Sequence, residues 1–103
     1  MIRHVVLLRF SPEADDQDVA RLCRALSSLP ASVPEIRRYR FGSDLGLADG
    51  NADFAIVADF DDAEAWRRYA DHPAHKAVIT ESIAPILADR SAAQIEIPDS
   101  PEP

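Results

Sequence analysis

One cysteine, three glycines and no long apolar run mark what this 103-residue chain does without. Cys23 alone can neither close an internal disulfide nor furnish a Cys-rich metal centre. The three histidines form no HxH or HExxH pair, so no metal site is expected. No Gly-rich phosphate loop, dinucleotide fingerprint or GxSxG elbow is present, which excludes the common nucleotide-dependent and serine-hydrolase classes. No stretch reaches the roughly 18 apolar residues that span a bilayer. The opening Met1–Phe10 run has Arg3 inside it and no small-residue cleavage site, so it reads as a strand and not a signal peptide. The expected compartment is therefore the cytoplasm. Positive charge is also scarce: 11 Lys and Arg against 18 Asp and Glu give a net charge of −7. That balance argues against nucleic acid or an anionic membrane as partner.

What is present is an ordinary globular share of apolar residues, 47%, and enough chain for one domain. A domain of this size buries a modest fraction of its surface, so a second subunit would help. Three of the eight prolines crowd the last six residues, 98–103, which read as a disordered tail.

Residues 2–10 alternate: Ile2, His4, Val6, Leu8 and Phe10 point one way, Arg3, Val5, Leu7 and Arg9 the other. After Ser11-Pro12, Val19, Leu22, Cys23, Leu26 and Leu29 recur at helical steps, and Pro30 and Pro34 are expected to stop that helix. Residues 35–43 and 52–60 read as strands joined by a long polar loop. Asp61, with Glu64 three residues on, is the expected cap of the next helix, whose buried stripe holds Trp66, Tyr69 and Ala70. Pro73 opens a further helix running through Val78, Ile79, Ile83, Ile86 and Leu87, with Pro85 weakening its end. A fourth strand is expected at 91–97.

The order β-α-β-β-α-β predicts a ferredoxin-like α+β protomer with a four-stranded antiparallel sheet and helices on one face. A register pairing 3 with 59 and 9 with 53 puts Arg3 beside Asp59 and Arg9 beside Asp53, both on the face away from the helices. Val5, Leu7, Ala55 and Val57 then form an apolar centre that no helix of the same chain covers. Such a face calls for a partner, and an identical sheet would bury it in a homodimer shaped as a barrel.

The chemistry gathers in Tyr69-Ala-Asp-His-Pro-Ala-His75, at the junction of two helices. His75 shares a helical face with Ile79, Ser82, Ile83 and Ile86 and so looks inward, close to an inward Tyr69. The positive end of the helix dipole favours a neutral imidazole there. Two readings stand: an acid–base pair, or a packed tyrosine with a histidine that merely bonds backbone. His4, among Ile2, Val6 and Leu8, is either a core histidine with one hydrogen bond or the wall of a pocket. His72 reads as a cap or a solvent-facing residue. Cys23 reads as a core thiol, and the arginines at 37, 38 and 40 as a solvated strand, an intersubunit contact or an anion site.

Three segments carry a family resemblance: Ile2–Phe10, Asp53–Asp62 and the Tyr-x-x-His-Pro-x-His pattern ending at His75. Over residues 1–97 the chain resembles the stress-responsive dimeric α/β-barrel (Dabb) family. The resemblance implies a dimeric barrel, no prosthetic group, and no assigned activity for most members. One plant branch, that of olivetolic acid cyclase, closes a linear polyketide by aldol chemistry. Its catalytic tyrosine and histidine match Tyr69 and His75, and a further pocket histidine matches His4. A second pocket histidine falls where this chain has Asp53-Phe54, a departure from that enzyme. Trp66, Ile79 and Phe54 are expected to complete an apolar pocket for a small carbonyl compound. The implied activity is a cyclisation or isomerisation without cofactor. The alternatives are a non-catalytic stress or small-ligand-binding protein and a cofactor-free monooxygenase-like protein.

Overall fold

The computed structural model describes residues 1–99. Nine residues whose side chains alternate between the two sheet faces form β1 (Ile2–Phe10), followed by α1 (Asp16–Ser32), β2 (Arg38–Ser43) and β3 (Phe54–Phe60). Two short helices, α2 (Ala63–Asp71) and α3 (Pro73–Val78), lead through a π-helical turn (Ile79–Ile83) and a 3₁₀ turn (Ala84–Ile86) into β4 (Leu87–Glu96). The sheet is antiparallel in the order β2-β3-β1-β4, which is the ferredoxin-like arrangement. Leu8, Phe54, Phe60, Leu22, Leu26, Leu29 and Val33 are almost wholly buried between the sheet and α1 and hold the two layers together. The tail expected at 98–103 falls mostly outside the described residues.

The register pairs Arg3 with Asp59 and places Leu8 opposite Phe54. Asp59 is 4% exposed and receives two hydrogen bonds from Arg3, at 2.8 and 2.9 Å. Arg9 behaves differently from expectation. Its guanidinium donates to the carbonyls of Gly50 (2.7 Å) and Asn51 (3.2 Å), while Asp53 accepts from the Phe10 backbone N–H. Both residues are spent on holding the 44–52 loop to the sheet. Asp44 reinforces that loop through Gly46 N–H and Asn51, and Gly46 and Gly50 adopt the left-handed φ values of 72° and 83° that the turn needs.

Several boundaries differ from the expected ones, each for an identifiable reason. Pro30 lies inside α1, which runs on to Ser32. The bond that Pro30 cannot donate is offset by the burial of Leu29 and Val33 and by the Val33 N–H donating to the Leu29 carbonyl at 2.9 Å. At its other end, α1 starts on a reciprocal capping box between Asp15 and Asp18. Asp62, not Asp61, caps α2 by accepting from Ala65 N–H, because Asp61 is engaged by Arg37 in two hydrogen bonds. Pro85 ends the third helical segment earlier than expected. Having no N–H for Glu81, it forces the chain through the π and 3₁₀ turns, and β4 begins at Leu87.

Candidate functional site

Histidine 75 is placed by a chain of backbone needs. Pro73 has no N–H to give the Tyr69 carbonyl, so that carbonyl accepts from His72 N–H at 3.1 Å. Ala74 N–H would ordinarily serve the Ala70 carbonyl, but it donates instead to His72 Nδ1 at 3.0 Å, the cap of α3. The Ala70 carbonyl, left without its helical donor, lies 3.2 Å from His75 Nδ1. A carbonyl can only accept, so Nδ1 carries the proton and Nε2 keeps its lone pair. Burial is the main cause that depresses the His75 pKa below that of an ordinary imidazole; the Ala70 hydrogen bond partly offsets it, and the charge of Arg90 adds to it. The neutrality expected from the helix dipole is thus present, with desolvation as its chief source.

Tyr69, 3% exposed on the buried stripe of α2, meets the imidazole with ring centroids 4.1 Å apart. Its other ring neighbours are Phe60 at 4.9 Å and His4 at 6.3 Å. Burial raises the pKa of the phenol, which stays a hydrogen-bond donor at neutral pH. The Tyr39 hydroxyl faces that of Tyr69 closely enough for each to affect the other's acidity, yet the pair falls short of hydrogen-bond geometry. Buried Tyr39 Oη is accordingly without a partner among the described residues.

His4 is 4% exposed on the helix side of β1. The Gln94 amide, directly across the β1–β4 ladder, donates to His4 Nδ1 at 2.8 Å, which leaves the ring proton on Nε2. Burial first, then the charges of Arg90 and His75, bring its pKa down to about 4. An unfolded imidazole titrates near 6.5, so the unfolded chain binds the extra proton between pH 6.5 and about 4. The stability contributed by the neutral ring is complete above pH 6.5 and is lost as the pH falls to about 4, a change on the order of 2–3 kcal/mol. Urea denaturation across that window is expected to show a pH slope in the wild type that is shallower by about one proton in His4→Gln. Equal slopes in the two proteins would remove His4 from that balance.

These side chains surround a cavity of about 140 Å³ between the sheet and the helices. His4, Tyr39, Tyr69, His75 and Arg90 supply its polar wall; Val6, Leu8, Leu26, Ile56, Val78, Ile83 and Leu87 are among its apolar lining. Ile79 lines it too, and at 40% exposure stands at its opening. Trp66 touches His4, centroids 5.8 Å apart, without lining the cavity, and its buried Nε1 has no partner among the described residues. Phe54 is not brought to this site. Its ring packs between Phe10 and Phe41, and the residue borders a wider open depression of about 570 Å³ on the opposite sheet face. That depression lies under the 44–52 loop and has no histidine or tyrosine in its lining.

Sequence reasoning passed over Tyr39, Arg90 and Gln94. Tyr39 was legible as a helix-side position of its strand, in line with Phe41. Arg90 fell just before the expected start of β4, so its face could not be read. Among the described residues no cluster of histidine, cysteine or carboxylate side chains could hold a metal ion, and no helix is long and apolar enough to cross a membrane.

Sheet, helices and cavity together define a ferredoxin-like α+β domain with a histidine–tyrosine pocket under its helices. The chain belongs to the stress responsive A/B barrel domain (Dabb) family, whose model matches residues 2–97. An uncharacterized protein of Streptomyces coelicolor is 33% identical over 79 residues, covering 75% of this chain and 81% of that one. A dimeric ferredoxin-like protein of unknown function from Thermobifida fusca superposes with a TM-score of 0.87 at 49% identity, over 93% of this chain and 90% of its own. The hydroxynitrile lyase of Passiflora edulis shares the fold, with a TM-score of 0.83 at 16% identity over 98% and 96% of the two chains.

Proposed function

We propose that the protein is a homodimeric enzyme that moves a proton at carbon in small carbonyl compounds, without a cofactor. The observation that carries this reading is the 3.2 Å contact of His75 Nδ1 with the Ala70 carbonyl, which requires the proton on Nδ1 and leaves the other nitrogen a base on a ring that packs against Tyr69. In the proposed reaction Nε2 takes a proton from the carbon between two carbonyls. The electron pair of that C–H bond moves onto a carbonyl oxygen, which accepts hydrogen bonds from the Tyr69 and Tyr39 hydroxyls. The unpartnered Tyr39 hydroxyl supports this, since a buried donor without an acceptor costs about 1–3 kcal/mol until a ligand supplies one. Return of the proton to a different atom isomerises the substrate, and attack of the enolate on a second carbonyl cyclises it. Drug-sized pockets run to about 300–1,000 Å³, so a cavity of about 140 Å³ suits a short 1,3-dicarbonyl better than a long polyketide. The single, half-buried Cys23 thiol is in keeping with a reduced, cytoplasmic setting.

The dimer in this reading is supported by the sheet face away from the helices, where Leu7 is 43% and Ile95 51% exposed beside Val5, Ala55 and Val57. Deuterium exchange at the central carbon of a panel of 1,3-dicarbonyl compounds, followed by proton NMR, tests the chemistry. Exchange above the buffer rate in wild type and its loss in His75→Ala is the expected result. A wild type no faster than buffer on every compound ends the proposal.

A further inference from the structure

The cavity wall is electrically lopsided. The chain has 18 Asp and Glu, yet none of them lines the cavity, and its one charged lining residue is Arg90. Its register opposite Leu8 places Arg90 on the helix side of edge strand β4, whereas its neighbour Asp89 sits opposite Arg9 on the other face. Arg3, Arg21, Arg37, Arg67 and Arg68 each hold a carboxylate. The Arg90 guanidinium has no hydrogen bond or ion pair among the described residues. The titratable groups within its field are His4 from β1, Tyr69 from α2 and His75 from α3, and all three are uncharged at neutral pH.

We propose that Arg90 determines specificity, so that the cavity takes a small carbonyl compound bearing a carboxylate. The anionic end pairs with the Arg90 guanidinium while the carbonyl end lies against Tyr69 and His75. This rests on the acid–base reading above and narrows it to oxo acids. A guanidinium matches a carboxylate with two parallel N–H donors. The same charge, with no carboxylate to balance it, disfavours amines and other cationic ligands. It also helps keep His75 neutral and ready to act as a base.

Titration calorimetry with acetoacetate and its uncharged methyl ester tests this on the full chain and on Arg90→Gln, Arg90→Lys and His75→Ala. Wild type is expected to bind acetoacetate about tenfold more tightly than the ester. Arg90→Gln should erase that preference, Arg90→Lys should keep part of it, and His75→Ala should keep it while losing proton exchange. Arg90 is exposed at the sheet edge, so the variants should fold, as a thermal melt will show. No binding of acetoacetate, equal affinity of wild type for both compounds, or an undiminished preference in Arg90→Gln overturns the assignment. Arg90-dependent binding with no exchange by wild type instead defeats the acid–base reading and leaves the anion site standing.

Discussion

His75→Ala is expected to lower the catalysed exchange rate by roughly 10²–10⁴-fold, the usual contribution of a positioned general base. The fold should survive the change. His75 is only half-buried, and the Ala70 carbonyl it releases sits at a helix end that water can serve, so the cost in stability is about 1 kcal/mol. Circular dichroism melts beside the NMR exchange assay separate the two effects. The pH profile carries the sharper test. The active form is the neutral ring, so the rate is full above the His75 pKa and falls as the pH drops through it. Because burial depresses that pKa below 6.5, the acid limb should lie on the acid side of an ordinary imidazole. Tyr69 shifts the other way, and its buried phenol should stay a donor past the usual pKa of 10. Tyr69→Phe should then cost about 10²-fold, as the loss of one oxyanion donor does. An acid limb at or above 6.5, or an unchanged rate in His75→Ala, would assign the base elsewhere.

How much of this was legible in the sequence depended on how many independent constraints met at each residue. β1 was readable to the residue because hydrophobic alternation and the Ser11-Pro12 stop agree on its ends. The pairing of Arg3 with Asp59 was readable because two charges facing the apolar side of a sheet need each other. Arg9 and Asp53 escaped the same logic. A nearby loop offered Arg9 two carbonyls and left Asp53 a backbone donor, and loop conformation is not written in alternation. Between Asp61 and Asp62 only the geometry of Arg37 decides which one caps α2. His75, Tyr69 and His4 stood out as polar residues on apolar faces. Trp66 and Phe54 shared those faces, but periodicity cannot separate a cavity wall from the packing behind it. Arg90 was lost through a strand boundary misplaced by four residues, because the unwinding that Pro85 imposes is a tertiary outcome.

Leu7→Asp is expected to convert a dimer of the 11.3 kDa chain into a monomer, as sedimentation or light scattering would report. The substitution sits on β1 between Val6 and Leu8 in sequence but on the opposite face, toward solvent in the protomer. It should therefore leave the protomer folded. Across a two-fold interface the same position occurs twice, so each new carboxylate would be buried against apolar Val5, Ala55 and Val57, with the nearest cation on that face, Arg9, already engaged by the Gly50 and Asn51 carbonyls. An uncompensated buried charge costs about 3 kcal/mol, about 6 for the pair, which weakens association by roughly 10⁴-fold. The residues lining the 140 Å³ cavity stand on the other side of the sheet from Leu7. A folded monomer should consequently still bind acetoacetate through Arg90, with lower thermal stability because the exposed apolar face is no longer covered. A wild type that sediments as a monomer at every concentration would refute the interface. A Leu7→Asp protein that stays dimeric would move it to another face.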